Sequence, residues 1–223
     1  MISIAIDGPA GAGKSTVAKA VAEELGIFYL DTGAMYRTVA LKAIRGGIST
    51  TDREKLSSLV NDIDMKIAFE GKEQHMILDG EDVTELIRSP EISIGASNVS
   101  AIPEVRIKMT ELQRKFASEN NVVMEGRDIG THVLPGATIK IFLVASAEKR
   151  AERRYKQLLE KGEKNISLEE ITKEIEYRDK NDSSREFAPL LKADDAIEID
   201  TTDLTVYQVA NKIMNYVKQK VEI

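Results

Sequence analysis

The chain has 223 residues, of which 42% are hydrophobic and 30% charged, and its formal net charge is −6 at pH 7. This length suits one well-buried α/β domain with room for a small insert. The acidic balance argues against a general nucleic-acid-binding protein, so an anion site would need positive charge concentrated locally. The absence of cysteine excludes disulfides, thiolate metal sites and a cysteine nucleophile.

The two histidines, His75 and His132, lie far apart and form no recognisable metal-ligand pair. No apolar run approaches the ~20 residues that a membrane-spanning helix needs. Residues 1–6 lack the charged leader of a signal peptide. We therefore predict a cytoplasmic protein with no membrane or nucleic-acid partner.

Strand and helix patterns alternate from the N-terminus onward. Residues 2–6 alternate small and branched apolar side chains, which predicts a short buried strand. A helix is predicted over 14–25, where Gly26 supplies a stop. A second strand over 27–30 and a helix over 34–45 follow.

The segment from about residue 62 to 85 departs from this alternation. Two apolar runs, 65–69 and 76–78, flank the turn-like residues 70–72, which indicates an antiparallel hairpin. We interpret the segment as an insert or small subdomain.

The second half returns to alternating elements. Pro103 suits the first position of a long helix over 103–118. The continuous apolar run 139–145 is typical of a strand covered on both faces. Other predicted elements are a strand over 122–124, polar helices over 147–160 and 167–181, a strand over 196–199 and an amphipathic helix over 206–218. The order predicts an α/β fold with a mostly parallel sheet.

The strongest motif lies between the first predicted strand and helix. Residues 8–15 read Gly-Pro-Ala-Gly-Ala-Gly-Lys-Ser and fit the P-loop pattern at every fixed position. Small residues let the backbone curl around phosphates, and its N–H groups favour an anion at the helix N-terminus. Lys14 would reach the β- and γ-phosphates, and the Ser15 hydroxyl would ligate Mg²⁺. The predicted ATP-binding residues are Gly8, Pro9, Ala10, Gly11, Ala12, Gly13, Lys14, Ser15 and Thr16.

Asp7, at the end of the first strand, is a second candidate for the metal site, through a metal-bound water. A structural role at the strand end explains this residue equally well.

A P-loop alone is compatible with a GTPase, an ATP-driven machine or a kinase. The sequence lacks the Asn-Lys-x-Asp motif usual in GTPases, and it is short for a motor. Arginines instead stand beside small and acidic residues after two predicted strands. Arg37, with Thr32, would flank an acceptor phosphate, and Arg127 with Asp128 follows a strand end where ligands of open sheets bind. A helix cap with an exposed arginine, and a loop-closing ion pair, are the alternatives.

Two further groups of charged residues lie at helical spacing in the polar helices. They are Arg150, Arg153 and Arg154, and Arg178, Asp182 and Arg185. A mobile lid that closes over phosphates would neutralise charge developing in a transition state. A solvated charged helix is the alternative.

Together these motifs resemble those of the bacterial cytidylate kinases, a family of P-loop nucleoside monophosphate kinases, over nearly the whole chain. The runs that carry the resemblance are 6–9, 31–37 (Asp-Thr-Gly-Ala-Met-Tyr-Arg), 126–131 (Gly-Arg-Asp-Ile-Gly-Thr), 140–143, 178–179 and 188–190.

The resemblance implies the P-loop NTPase fold, with a central parallel sheet flanked by helices, a helical lid and a hairpin-containing NMP-binding insert. Within a single domain of residues 1–223, it implies a core of about 1–60, 99–147 and 186–223, an insert of about 61–98 and a lid of about 148–185.

The resemblance also implies a monomer that transfers a phosphoryl group from Mg-ATP to CMP or dCMP in pyrimidine nucleotide metabolism. The implied catalytic residues are Lys14, Arg127, Arg150, Arg154 and Arg178. The implied CMP-binding residues are Thr32, Arg37, Ser97, Arg106, Arg127, Asp128, Arg178, Asp182 and Arg185. Another acceptor (UMP, AMP or shikimate) and a non-catalytic ATP-dependent switch are the alternatives.

Overall fold

The computed structural model describes residues 1–160, 162 and 166–221. In chain order, the strands are β1 (Ser3–Asp7), β2 (Phe28–Asp31), β3 (Met65–Glu70), β4 (Glu73–Leu78), β5 (Glu81–Asp82), β6 (Val122–Gly126), β7 (Ile139–Val144) and β8 (Ile197–Asp200). The helices are α1 (Lys14–Leu25), α2 (Thr32–Arg45), α3 (Arg53–Asn61), α4 (Pro90–Val99), α5 (Pro103–Glu119), α6 (Ala147–Glu160), α7 (Leu168–Ser183) and α8 (Val206–Lys220).

The central sheet has five parallel strands in the order β2-β6-β1-β7-β8. Helices flank it, so its middle strands are buried on both faces and consist of apolar runs. The register sets Asp7 opposite Gly126 and Asp31 opposite Glu125. The carboxyl ends of β1, β2 and β6 therefore meet at one edge of the sheet. The predicted α/β fold is confirmed, with the ends of the predicted sheet strands and helices shifted by at most two residues.

The predicted hairpin is also present. Strands β3 and β4 pair antiparallel, and β5 adds a third strand. Phe69 of β3 packs against Phe28 and Phe116, with ring centroids 4.8 and 5.1 Å apart. Gln74 of β4 accepts a hydrogen bond from the Asp31 N–H at 2.7 Å. These contacts attach the hairpin directly to the edge of the central sheet.

Two helices, α3 and α4, were not predicted from the sequence. Helix α3 is short and amphipathic only through Leu56 and Val60. Helix α4 contains Gly95, which disfavours a helix in isolation. A Cβ at that glycine would lie 3.1 Å from the Cβ of Ala40, so close packing on α2 explains both the glycine and the helix.

Separate hydrophobic clusters stabilise the parts of the molecule. One fills the space between the sheet and helices α1 and α8. Another joins α2 and α5 to α3, α4 and the hairpin. A small third cluster lies between α6 and α7 and contains Ala151, Leu158, Ile171 and Ile175. Among the described residues, no helix is both long and apolar enough to cross a membrane.

We predict that Ile141→Ala lowers the free energy of unfolding by about 2–5 kcal/mol, because it empties a fully packed position of β7. Ile141 is 1% exposed, whereas Ile107 on α5 is 48% exposed. The matched control Ile107→Ala should change the free energy by about 0.5 kcal/mol or less. Urea unfolding of the three proteins measures both values, and similar losses in the two variants would contradict the assignment of the core.

Candidate active site

The phosphate loop connects β1 to α1 as the sequence predicts. Gly8, Gly11 and Gly13 have positive φ angles of 147°, 77° and 88°. Gly13 is the N-cap of α1, and no side chain caps the helix there. The first N–H groups of α1 are therefore available to an anion, as in other phosphate sites at helix N-termini.

Lys14 is buried at the start of α1, where it is 5% exposed. Its Nζ donates a hydrogen bond to the carbonyl of Pro9 at 2.7 Å. Burial, and then the nearby positive charge of Arg127, lowers the pKa of Lys14 to about 7. A phosphate at this position would supply the missing negative charge.

Glu125, which the site prediction omitted, lies beside Lys14 and Ser15 at the end of β6. It is 4% exposed and accepts a hydrogen bond from the hydroxyl of Tyr29. Burial raises the pKa of Glu125, and the negative charge of Asp31 adds to that effect. Its position at the carboxyl end of a buried strand could have identified Glu125 as a site residue.

Asp7 ends β1 and stabilises the turn that follows β6. Its two carboxylate oxygens accept hydrogen bonds from the N–H groups of Ile129 and Gly130 at 2.8 and 2.7 Å. Burial nevertheless raises the pKa of Asp7 to about 7. The structural alternative therefore accounts for its geometry, and its metal role stays a prediction.

Asp31 organises the region where Thr32 and Arg37 lie. Its carboxylate caps α2 through the Ala34 N–H at 3.0 Å, and pairs with Arg37 at 2.6 Å and Arg88 at 2.9 Å. Burial alone would raise the pKa of Asp31, but the two arginines hold it at about 2. The sequence offered no sign of Arg88, because the insert brings it here from a distant part of the chain.

Arg106 and Asp128 form a buried ion pair deep in the site, with side chains 1% and 5% exposed. Arg106 also donates to the carbonyl of Ser100 at 3.3 Å. Its guanidinium lies 5.5 Å from the ring centroid of Tyr36. Arg106 is thus held by three contacts, with Asp128, Ser100 and Tyr36.

Asp182 in the last turn of α7 and Arg185 just beyond its end lie against the same region. Asp182 accepts from Arg127 Nε at 2.6 Å and also pairs with Arg185. Burial alone would raise the pKa of Asp182, but Arg127 and Arg185 hold it below its usual value. Asn181 donates to the carbonyl of Ser97 at 2.9 Å, which attaches α7 to α4.

A single cavity of about 700 Å³ joins the phosphate loop to Thr32, Arg37 and the Arg106–Asp128 pair. All nine residues predicted to bind CMP line it, as do residues 10–16 of the loop. Among the described residues, nine basic and five acidic side chains line the cavity. An acidic chain therefore concentrates positive charge where the sequence required it.

Five arginines of the cavity keep a buried Nε without a hydrogen-bond partner in the part of the chain that the structure describes. They are Arg37, Arg106, Arg154, Arg178 and Arg185. Burial, and then the charge of Arg127, lowers the pKa of Arg178 to about 10. Unpaired donors and excess positive charge suit an anionic ligand with many oxygens.

Arg150, one of the predicted catalytic residues, is absent from the lining of this cavity, and its catalytic role stays a prediction. Its guanidinium donates to the carbonyls of Ala10 and Ala145 at 3.0 and 3.1 Å and pairs with Asp179. Arg153 lines the cavity instead, and it donates to the carbonyl of Thr201. Helical spacing placed the arginines of α6 on one side without showing which of them faces the ligand.

Comparison with known proteins identifies the family. The family model described as cytidylate kinase matches residues 4–219. A cytidylate kinase of Caldicellulosiruptor bescii is 51% identical over 213 residues, 96% of this chain and 94% of the relative. A cytidylate kinase of Ligilactobacillus salivarius is 50% identical over 219 residues, 98% of this chain and 97% of the relative.

A solved structure agrees on the fold. The shikimate kinase from Bacteroides thetaiotaomicron has a TM-score of 0.50 at 12% identity, and the match covers 97% of this chain and 98% of that chain. At that identity the likeness concerns the fold alone. The family match and both relatives extend over nearly the whole sequence, which confirms the resemblance seen in the motifs: the chain belongs to the cytidylate kinase family.

Proposed function

We propose that the chain transfers the terminal phosphoryl group of ATP to CMP or dCMP, giving ADP and CDP or dCDP. The observation that carries the proposal is the single cavity that joins the phosphate loop to the buried Arg106–Asp128 pair. Membership of the cytidylate kinase family supports the same reaction, with its place in pyrimidine nucleotide metabolism.

The donor phosphates would lie on residues 10–16, and Gly8 and Pro9 would shape the loop from outside the cavity. Lys14 would exchange the Pro9 carbonyl for phosphate oxygens, which would restore its charge.

The oxygen groups beside the loop suit Mg²⁺. The Ser15 hydroxyl and the Glu125 carboxylate both line the cavity, and Mg²⁺ prefers such oxygen ligands. Ser15 would ligate the ion, and Glu125 would reach its water shell, for which Asp7 is the second candidate. The ion would neutralise charge on the β- and γ-phosphates.

On the acceptor side, Thr32, Arg37 and Arg127 would hold the phosphate of CMP. Ser97, Arg106 and Asp128 would read the base. Asp128 would accept from the cytosine N4 amino group, and Arg106 would donate to N3 or O2. Uracil presents the reverse pattern, and unpaired buried groups are costly, so CMP should exceed UMP by roughly 10²-fold in kcat/KM.

The transfer needs no general base, because the second pKa of a phosphate monoester lies near ~6 and the attacking oxygen is already ionised. Alignment and charge neutralisation then account for catalysis. Lys14, Arg127, Arg154 and Arg178 line the cavity and would meet the phosphates. Asp182 and Arg185 would contact the ribose and phosphate of CMP as the lid closes.

We also propose that the chain is divided into a core, an acceptor-binding insert and a lid. Residues of about 1–60, 99–147 and 186–223 would form the core, about 61–98 the acceptor insert and about 148–185 the lid. The residues proposed for both substrates lie around one cavity of one chain, which supports a monomer as the working unit.

A coupled assay of ADP release tests the proposed reaction. The purified chain is supplied with Mg-ATP and CMP, dCMP, UMP, AMP or shikimate in parallel. We expect CMP and dCMP to support the fastest turnover. Equal turnover with UMP or AMP would refute the account of the acceptor pocket, and ATP binding without turnover on any acceptor would support a switch.

We predict that Asp128→Asn lowers kcat/KM for CMP about 10- to 100-fold, because the amide presents the wrong hydrogen-bonding group to N4. The preference for CMP over UMP should fall with it, which a loss of folded protein cannot produce. Steady-state kinetics with both acceptors measure the ratio, and the exposed Asp194→Asn is the control. An equal loss with both acceptors would show that Asp128 does not read the base.

Lys14 should make the free protein less stable, because its pKa falls from 10.5 to about 7 on folding. Between these values the unfolded chain holds one more proton than the folded chain, so stability rises with pH across the window. We predict that Lys14→Met is more stable than the wild type at pH 7 and below, and that its advantage shrinks towards pH 10. Kinase activity should fall at least about 10²-fold.

Melting temperatures from pH 6 to pH 10 test this prediction, with the exposed Lys115→Met as the control. A Lys14→Met protein that is less stable at pH 7, or whose difference from the wild type is independent of pH, would contradict it.

A further inference from the structure

Two side chains that lie outside the cavity, Arg150 and Asp179, hold one residue of the phosphate loop. Asp179 Oδ1 accepts from the Ala10 N–H at 3.3 Å, and Arg150 Nη1 donates to the Ala10 carbonyl at 3.0 Å. The two side chains are themselves paired at 2.5 Å. Ala10 is therefore held at both of its backbone polar groups, from α6 and from α7.

Helix α6 packs so closely on the loop that position 11 has no room for a side chain. Gly11 has a φ of 77°, and a Cβ there would lie 2.9 Å from the Cβ of Arg150. Arg150 is anchored in turn by the carbonyl of Ala145, just past the end of β7. Arg150 thus links Asp179 to the end of a strand of the central sheet.

Asp179 is the neighbour of Arg178, which does line the cavity. Arg178 has a buried Nε without a partner in the described chain, and its ion pair with Glu174 is long, at 3.6 Å. Its own contacts therefore do little to fix it. The placement of α7 decides where its guanidinium lies.

Apart from its apolar packing on α6, α7 is attached by polar contacts on the acceptor side. Asn181 donates to Ser97, and Tyr177 donates to Asn98 at 2.7 Å, both on α4. Asp179 is the contact by which the same helix reaches the loop that holds the donor phosphates.

We propose that Asp179, supported by Arg150, is a positioning residue that sets the distance between Arg178 and the phosphate loop. The proposal rests on the proposed function, since the phosphates that Arg178 would meet are those passed from ATP to CMP. Asp179 touches no substrate, and it acts on the rate through Arg178.

A double-mutant cycle in the full chain tests the proposal, with Mg-ATP and CMP as substrates. We expect Asp179→Ala to lower kcat between about tenfold and a hundredfold, the loss that follows when a catalytic group is misplaced. In the Arg178→Ala background the same change should lower kcat by less than about threefold, because the group that it positions is gone.

Asp179→Asn keeps an acceptor for the Ala10 N–H and loses the charge that pairs with Arg150, so an intermediate kcat is expected. It also serves the cycle if Asp179→Ala does not fold. Glu176→Ala, exposed on the same helix, is the matched control and should leave kcat unchanged.

Equal losses of kcat in the wild-type and Arg178→Ala backgrounds would overturn the proposal, as would a lower melting temperature with kcat unchanged. Failure of the proposed function is a separate result, because the wild-type protein would then show no turnover with CMP.

Discussion

The site depends on the parallel register of β1, β6 and β2. That register places Asp7 opposite Gly126 and Asp31 opposite Glu125, so one edge of the sheet holds together the phosphate loop and the residues proposed to bind the acceptor. A slip of one residue would turn the side chain of Glu125 to the other face of the sheet. Apolar burial sets the register, and the register in turn sets the positions of these polar side chains. They lie outside the carboxyl ends of the strands, where parallel sheets bind their ligands.

Buried acids orient the arginines of this edge before any substrate arrives. Asp31, Asp128 and Asp182 each pair with at least one arginine, yet positive charge remains in excess along the cavity. Burial, and then the positive charge of Arg127, lowers the pKa values of both Lys14 and Arg178. Groups placed in advance need little reorganisation in the transition state, which is where electrostatic catalysis obtains its advantage.

Local signals made much of this molecule predictable. The phosphate loop, the strands and the hairpin follow from glycine spacing and apolar period. The assignment of Arg106 and Asp128 to the base of CMP rests on the family resemblance and stays a prediction. Tertiary contacts decided the rest. Arg88 reaches Asp31 through the insert, Gly95 belongs to a helix only because α4 packs on α2, and Arg150 faces the loop because α6 docks there. None of these three leaves a periodic trace in the sequence.

The small hydrophobic cluster between α6 and α7 has a thermodynamic consequence for the lid closure proposed above. Its members, Ala151, Leu158, Ile171 and Ile175, pack against one another, while the contacts of α7 to α4 and to the phosphate loop named above are polar. Swinging the two helices away as one unit would expose little apolar surface, so the heat capacity of opening should be small. The balance between open and closed forms would then respond more to ionic strength than to temperature.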